Sequence, residues 1–225
     1  SLIADNSGEI RANMVKPQGN NGYSGFVSKG RTLKLDGDVY VGTGKVYLGL
    51  DGVDSYLNGV INNDNGGTVE MMMLTGGAWY NTATNVAEQD TVSHINLLSG
   101  CGGAIFQAAD SNDINIDKYG TSLGTSNSVY YTHDAADPTN ILGGNINIAS
   151  AVAGSSIYLI TDYDENMNTA EVQNKVLNAL ANKLFYTGYI NGTDGEGGVV
   201  EGERNLSGYA QIAEGLTTAS VTKYF

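Results

Sequence analysis

The chain has one cysteine, two prolines, two histidines and eleven lysines and arginines among 225 residues. A single thiol, Cys101, excludes an intramolecular disulfide framework, and with His94 and His133 far apart it also excludes a Cys/His zinc cluster. The cations are few and scattered against 24 acidic residues, for a formal net charge of -13. Nucleic acid and anionic lipid surfaces both need clustered Lys or Arg, so this balance argues against either as a partner. No apolar run approaches the roughly 20 residues of a membrane-crossing helix. The first residues, Ser-Leu-Ile-Ala-Asp, carry no signal-peptide pattern, as expected of a mature or excised segment.

Glycine is abundant, with 31 residues, but no Gly-X-Y period accompanies it, so it marks corners rather than a collagen helix. The segment 66–81 shows the unit: Gly-Gly-Thr-Val-Glu-Met-Met-Met-Leu-Thr-Gly-Gly-Ala-Trp-Tyr-Asn. With Glu70 facing water, period-2 alternation buries Val69, Met71 and Met73, and Gly76-Gly77 supplies positive-φ freedom for a sharp bend. The alternation recurs at Leu33/Leu35, Val39/Val41, Val46/Leu48/Leu50, Ile95/Leu97, Ile114/Ile116, Ile146/Ile148 and Ile157/Leu159. Strands this short must pair above and below. An antiparallel sandwich would need tight hairpins and usually ends within about 100 residues. A parallel β-helix stacks short strands into rungs with aliphatic columns inside, and Asn at its corners tolerates left-handed backbone while bonding the next rung. The expected fold class is therefore all-β, a parallel β-helix, with rungs over 1–168 and, in the same domain, a helix insertion and further rungs over 169–225.

Residues 1–30 read as irregular, with strand fragments near 9–14 and 25–27. A polar insertion at 82–91 is expected to leave the stack as a loop. One amphipathic stripe, Val172, Val176, Leu177, Leu180, Ala181, Leu184 and Phe185, predicts a helix over 169–186, with Asn168-Thr-Ala-Glu171 spaced as a capping box. An acidic glycine loop follows at 191–198, then β-like text at 208–213 and 219–225.

Candidate sites are few. Asp162, Asp164, Asn166 and Asn168 place oxygen ligands at alternate positions, the spacing of a Ca2+ loop, although Met167 and Gln173 stand where an EF-hand has Gly and Glu. The competing reading is a polar turn ending in a helix cap. No other cofactor is expected. Tyr40, Tyr47 and Tyr158 fall opposite the aliphatic faces of their strands, so they should point outward as contact residues for a glycan or protein. Strands also favour Tyr with no ligand in view. Cys101 reads as a small buried corner residue, and His133-Asp-Ala-Ala-Asp137 as a solvated turn. Asn191-Gly-Thr193 and Asn205-Leu-Ser207 match glycosylation acceptors by chance. No catalytic residue is assigned. A polysaccharide lyase or hydrolase would need convergent carboxylates and a cation, and the pairs Asp36/Asp38 and Asp51/Asp54 sit at glycine turns where Asp serves the turn.

Gly76-Gly-Ala-Trp-Tyr-Asn81, Ser93-His-Ile-Asn-Leu-Leu-Ser-Gly100, Ser128-Val-Tyr-Tyr-Thr-His133, Gly143-Gly-Asn-Ile-Asn-Ile-Ala149 and Ile157-Tyr-Leu-Ile-Thr-Asp162 together resemble the passenger region of bacterial autotransporters. The resemblance extends over roughly 65–220, including 178–186 and 203–216. It implies a right-handed parallel β-helix held at the bacterial cell surface by a C-terminal outer-membrane barrel that this segment lacks. It also implies use in adhesion to a host or bacterial surface protein or glycan, including self-association between cells; the lack of a convergent acid, base and cation set adds the expectation that the chain is not an enzyme. The helix at 169–186 is not part of that family's rung pattern.

Overall fold

The computed structural model describes residues 1–18, 23–187, 208–211 and 218–225, with the backbone alone for 208–211. Most strands pair in parallel, as short segments with one apolar face and no hairpin turn to the next strand require. One stack runs Glu9–Ala12, Lys45–Leu50, Thr68–Met73, the first half of Ser93–Gln107, Ile114–Tyr119, Ile146–Ala151 and Leu184–Tyr186, each parallel to the last. A second runs Lys34–Asp36, Tyr56–Asn58, Ala78–Asn81, the second half of Ser93–Gln107, Thr125–Asp134 and Ser156–Asp162, again parallel throughout. Ser93–Gln107 passes through both stacks and so joins them within one 15-stranded sheet, which Asp137–Leu142, Gly208–Gln211 and Thr218–Tyr224 complete. The early returns from the second stack to the first cross a three-stranded parallel sheet of Leu2–Ala4, Val39–Val41 and Ile61–Asn62.

Inward side chains form columns at the strand spacing. In the second stack Leu35, Leu57, Trp79, Ile105, Val129, Leu159 and Val221 sit in register. In the first stack Leu48, Met71, Leu98, Tyr119 and Ala151 do the same. The expected inward residues Val39, Val46, Leu48, Val69, Met71, Ile95, Ile114, Ile116, Ile146, Ile148, Ile157 and Leu159 are all buried in one cluster. Each such side chain contributes about 1.5–3 kcal/mol of burial. Polar residues close the corners between columns: Asn81 Nδ2 donates to Gln107 Oε1 at 2.7 Å, and Ser93 Oγ donates to Asn81 Oδ1 at 3.0 Å. Asn13 has φ 59° and donates to the Gly49 carbonyl at 3.0 Å, the corner role expected of Asn. At the double-glycine corner Gly76 has φ 85°, and a Cβ on Gly77 would stand 2.2 Å from the Leu50 carbonyl oxygen. The first glycine is needed for conformation and the second for close approach.

Several expectations need correcting. Leu97 is not inward: the period of two breaks after Ile95, so that Ile95 and Leu98 are buried while Asn96 and Leu97 lie outside the core, and Asp117 and Lys118 repeat the break in register on the next strand. Cys101 is exposed rather than buried, because Gly100 and Gly102, at φ 90° and 83°, turn the chain on either side of it. The helix spans Ala170–Ala181, and its cap is Thr169, whose side chain accepts from the Val172 amide, not Asn168. Leu184 and Phe185 lie beyond it in the strand Leu184–Tyr186, because pairing with Ile146–Ala151 outweighs their helical spacing. Val176 and Leu180 bury the helix against Asp137–Leu142, Thr218–Tyr224 and Ser156–Asp162. The final strand is not a further parallel rung: Thr218–Tyr224 pairs antiparallel to Ser156–Asp162, and Gly208–Gln211 antiparallel to it in turn. The loop at 191–198 and the acceptor triplets at Asn191 and Asn205 lie outside the described residues.

The insertion at 82–91 leaves the strands as expected, carrying a short 3-10 turn at Val86–Glu88. Its anchor is Asp38, fully buried, which accepts from the amides of Val60 at 3.0 Å and of Thr84 and Asn85 at 3.1 Å. Among the described residues no helix is long and apolar enough to cross a membrane.

Candidate functional site

Alternation along the second stack places every other side chain outside the core, and register then lines these up across strands. Two outward columns result. One holds Lys34, Tyr56, Ala78, Ala104, Ser128 and Tyr158; the other holds Asp36, Asn58, Tyr80, Phe106, Tyr130 and Ile160. In the second column three consecutive strands present aromatic rings. Tyr80 and Phe106 stack with centroids 4.8 Å apart and planes 13° from parallel; Phe106 and Tyr130 follow at 5.0 Å and 16°. Ring atoms in contact sit about 3.5–4.0 Å apart, so rings at these centroid distances are slipped, and each leaves part of its face uncovered. Tyr80 is 42% exposed.

The ridge borders two hollows. One, of about 310 Å3, lies beside Tyr80, Phe106 and Tyr130 and is rimmed by Thr82, Thr132 and Asp162. The other, of about 370 Å3, is bounded by Tyr56, Asn58, Tyr80 and Thr82. Tyr80 and Thr82 belong to both, so the hollows adjoin along the ridge. The walls are held in place. Tyr56 Oη donates to Asp36 Oδ2 at 2.6 Å, a bond that raises the Tyr56 pKa by stabilising the neutral phenol. Beneath the ridge Tyr131 Oη and Gln107 Nε2 both donate to the Gly144 carbonyl, at 2.9 and 3.0 Å. Burial pushes the Tyr131 phenol well above its ordinary range, so it remains a donor at any accessible pH. Among the described residues Asp162 is the one charged side chain lining either hollow.

The three tyrosines expected outside the core fare differently. Tyr158 is 37% exposed and stands on the same outward face as the ridge, in register with Ser128. Tyr40 is half-buried on the three-stranded sheet between Ile3 and Asn62. Tyr47 points out of the main core as its parity requires, yet it is buried. The hairpin of Met14–Val15 and Val27–Ser28 folds over it, and Phe26 stacks on its ring at 4.0 Å, with Met14 and Met72 completing a separate cluster. Tyr47 is therefore no free contact residue.

The Asp162–Asn168 turn brings its oxygens to different tasks. Asp164 Oδ1 accepts from the Asn166 amide at 2.8 Å and Oδ2 lies 3.2 Å from His133 Nε2. The Asn166 amide and then His133 hold the Asp164 carboxyl below its ordinary pKa. Asp162 faces the groove instead. Among the described residues no three His, Cys, Asp or Glu groups gather in metal-binding distance. The carboxylate pairs are similarly divided: Asp36 holds Tyr56, Asp38 holds the 82–91 loop, and Asp51 Oδ2 accepts from Ser28 Oγ at 2.8 Å.

The ridge is invisible to alternation within any one strand, which places each tyrosine against its own strand alone. A signal was present: Gly76-Gly-Ala-Trp-Tyr-Asn81 and Gly102-Gly-Ala-Ile-Phe-Gln107 share a Gly-Gly-Ala-apolar-aromatic-amide frame. Superposing the two puts Phe106 over Tyr80, and the next strand's Ser128-Val-Tyr puts Tyr130 over Phe106. No family model, curated protein or solved structure matches the chain.

Proposed function

We propose that the chain is a stretch of right-handed parallel β-helix, displayed at a bacterial cell surface as part of an autotransporter passenger, and that it works there as a non-enzymatic adhesin. The observation that carries the adhesive role is the outward ridge of Tyr80, Phe106 and Tyr130 with its adjoining hollows. Large aromatic rings on a rigid sheet lose little conformational entropy when they make contacts, and aromatic side chains dominate binding surfaces for that reason. The parallel register of two long stacks and the short, glycine-cornered strands support the β-helix reading, and the near absence of cysteine agrees with the passenger reading. The non-enzymatic reading is supported by the structural tasks of Asp36, Asp38 and Asp51, which leave no acid-base pair beside the groove among the described residues.

The test is adhesion of protein-coated fluorescent beads to a panel of epithelial and bacterial cells. Saturable adhesion that Tyr80→Ala and Phe106→Ala both abolish, at unchanged melting temperature, is the expected result. Adhesion that ignores both substitutions overturns the reading, as does turnover of any polysaccharide at catalytic amounts of protein.

A further inference from the structure

We infer that the groove beside Tyr80, Phe106 and Tyr130 takes an uncharged, extended oligosaccharide lying along the stacking direction of the strands. The inference rests on the proposal that this ridge is the contact surface, and adds the ligand's chemistry and direction. Three features select it. First, Ala78–Asn81, the second half of Ser93–Gln107 and Thr125–Asp134 are each paired on both sides. No backbone edge is open there, so a peptide cannot bind by adding a strand.

Second, the surface alternates between ring and hydroxyl. Slipped aromatic rings run up one side of the groove, and Thr82 and Thr132 offer hydroxyls on the other. A sugar ring has that same division, with C–H faces to lay on an aromatic ring and hydroxyls around its rim. A helical peptide would need a broad apolar trough for anchors three and four residues apart, and a rim of Thr and Asp does not provide one. Third, the charge is one-sided. Asp162 lies at one end of the groove, neither hollow is lined by Lys or Arg among the described residues, and the chain carries a net charge of -13. A uronate, sulfate or sialate would be desolvated beside a carboxylate with no cation to offset it. From Asn58 to Ile160 the outward column crosses four strand spacings, about 19 Å, room for a short run of sugar rings end to end.

Calorimetric titration of the folded protein with cellohexaose, xylohexaose and chitohexaose, and in parallel with oligogalacturonate and heparin, tests the inference. Binding of at least one neutral hexasaccharide is expected, with no binding of the two anionic probes. Tyr80→Ala should weaken the neutral ligand about tenfold or more, the loss typical of a hot-spot aromatic. Ala108→Trp fills the groove from its half-buried floor position while leaving the ridge intact, and should abolish binding at unchanged melting temperature. Preference for an anionic probe, silence toward all three neutral ones, or binding that survives Ala108→Trp each overturns the inference. Bead adhesion that still depends on Tyr80 while the neutral sugars are silent leaves the adhesive reading standing and removes only the ligand class. Adhesion indifferent to Tyr80 removes both.

Discussion

Asp38 offers the sharpest test of how the 82–91 loop is held. Its carboxylate is fully buried, with Oδ1 shared by the Val60 and Thr84 amides and Oδ2 taken by the Asn85 amide. In Asp38→Ala all three donors lose their acceptor. Thr84 and Asn85 are exposed and can turn to water once the loop lifts, but the Val60 amide lies beside a buried side chain and stays dry. A buried donor left unpaired costs about 1–3 kcal/mol, and release of the loop adds a smaller loss, partly offset because no charge need be buried. The expected total is about 2–4 kcal/mol, or roughly 4–16 °C in Tm for a chain of this size. Asp38→Asn keeps one carbonyl-type oxygen for Val60 and Thr84 but turns an amide group toward Asn85, so its loss should be about half as large. Urea unfolding gives the stability change, and amide exchange locates it. Exchange should accelerate at Thr84, Asn85 and the Val86–Glu88 turn while Ile105 and Val129 stay protected. Wild-type stability in Asp38→Ala, with unchanged exchange in the loop, would show that Asp38 does not hold it.

Phe26→Ala should cost about 1–2 kcal/mol, less than a core Phe→Ala, because the hairpin over Tyr47 can move rather than leave a cavity; nitration of Tyr47 should rise, and protection that persists would contradict its being covered by Phe26. His94 faces two acceptor oxygens, the Asn63 carbonyl at Nδ1 and Asp117 Oδ1 at Nε2. Desolvation lowers its pKa, yet the bonds to Asn63 and Asp117 together raise it above the ordinary 6.5. A raised folded-state pKa means that this stabilisation is complete below about 6.5 and is lost as pH rises through the higher folded value. Asp117→Asn should flatten that part of the stability profile, and an unchanged profile would count against it. Millimolar Ca2+ should leave the melting temperature unchanged, because Asp164 is committed to Asn166 and His133; a rise of several degrees would establish the Asp162–Asn168 turn as a calcium site.

The core was legible because burial imposes a period of two and register repeats it: Val46, Val69, Ile116, Ile148 and Leu159 needed only alternation to be placed inside. What alternation cannot see is what lies over an outward residue. Tyr47 and Tyr158 have the same parity, and only a hairpin from elsewhere in the chain buries the first. Local spacing also misled at Leu184 and Phe185, whose helical fit lost to a strand partner far back at Ile146–Ala151. The ridge depends on register between strands 24 to 26 residues apart, so no single strand announces it.

The groove exists only if Asn58, Tyr80, Phe106, Tyr130 and Ile160 form one outward column on five adjacent parallel strands. Nitroxide labels on Asn58→Cys and Ile160→Cys, with Cys101→Ser to leave no other thiol, measure it by dipolar spectroscopy. Four strand spacings give a backbone separation of about 19 Å, and a single narrow distribution around that value, broadened only by the label arms, is expected. A distribution centred well beyond it, or split into two populations, would contradict the parallel column and the groove built upon it.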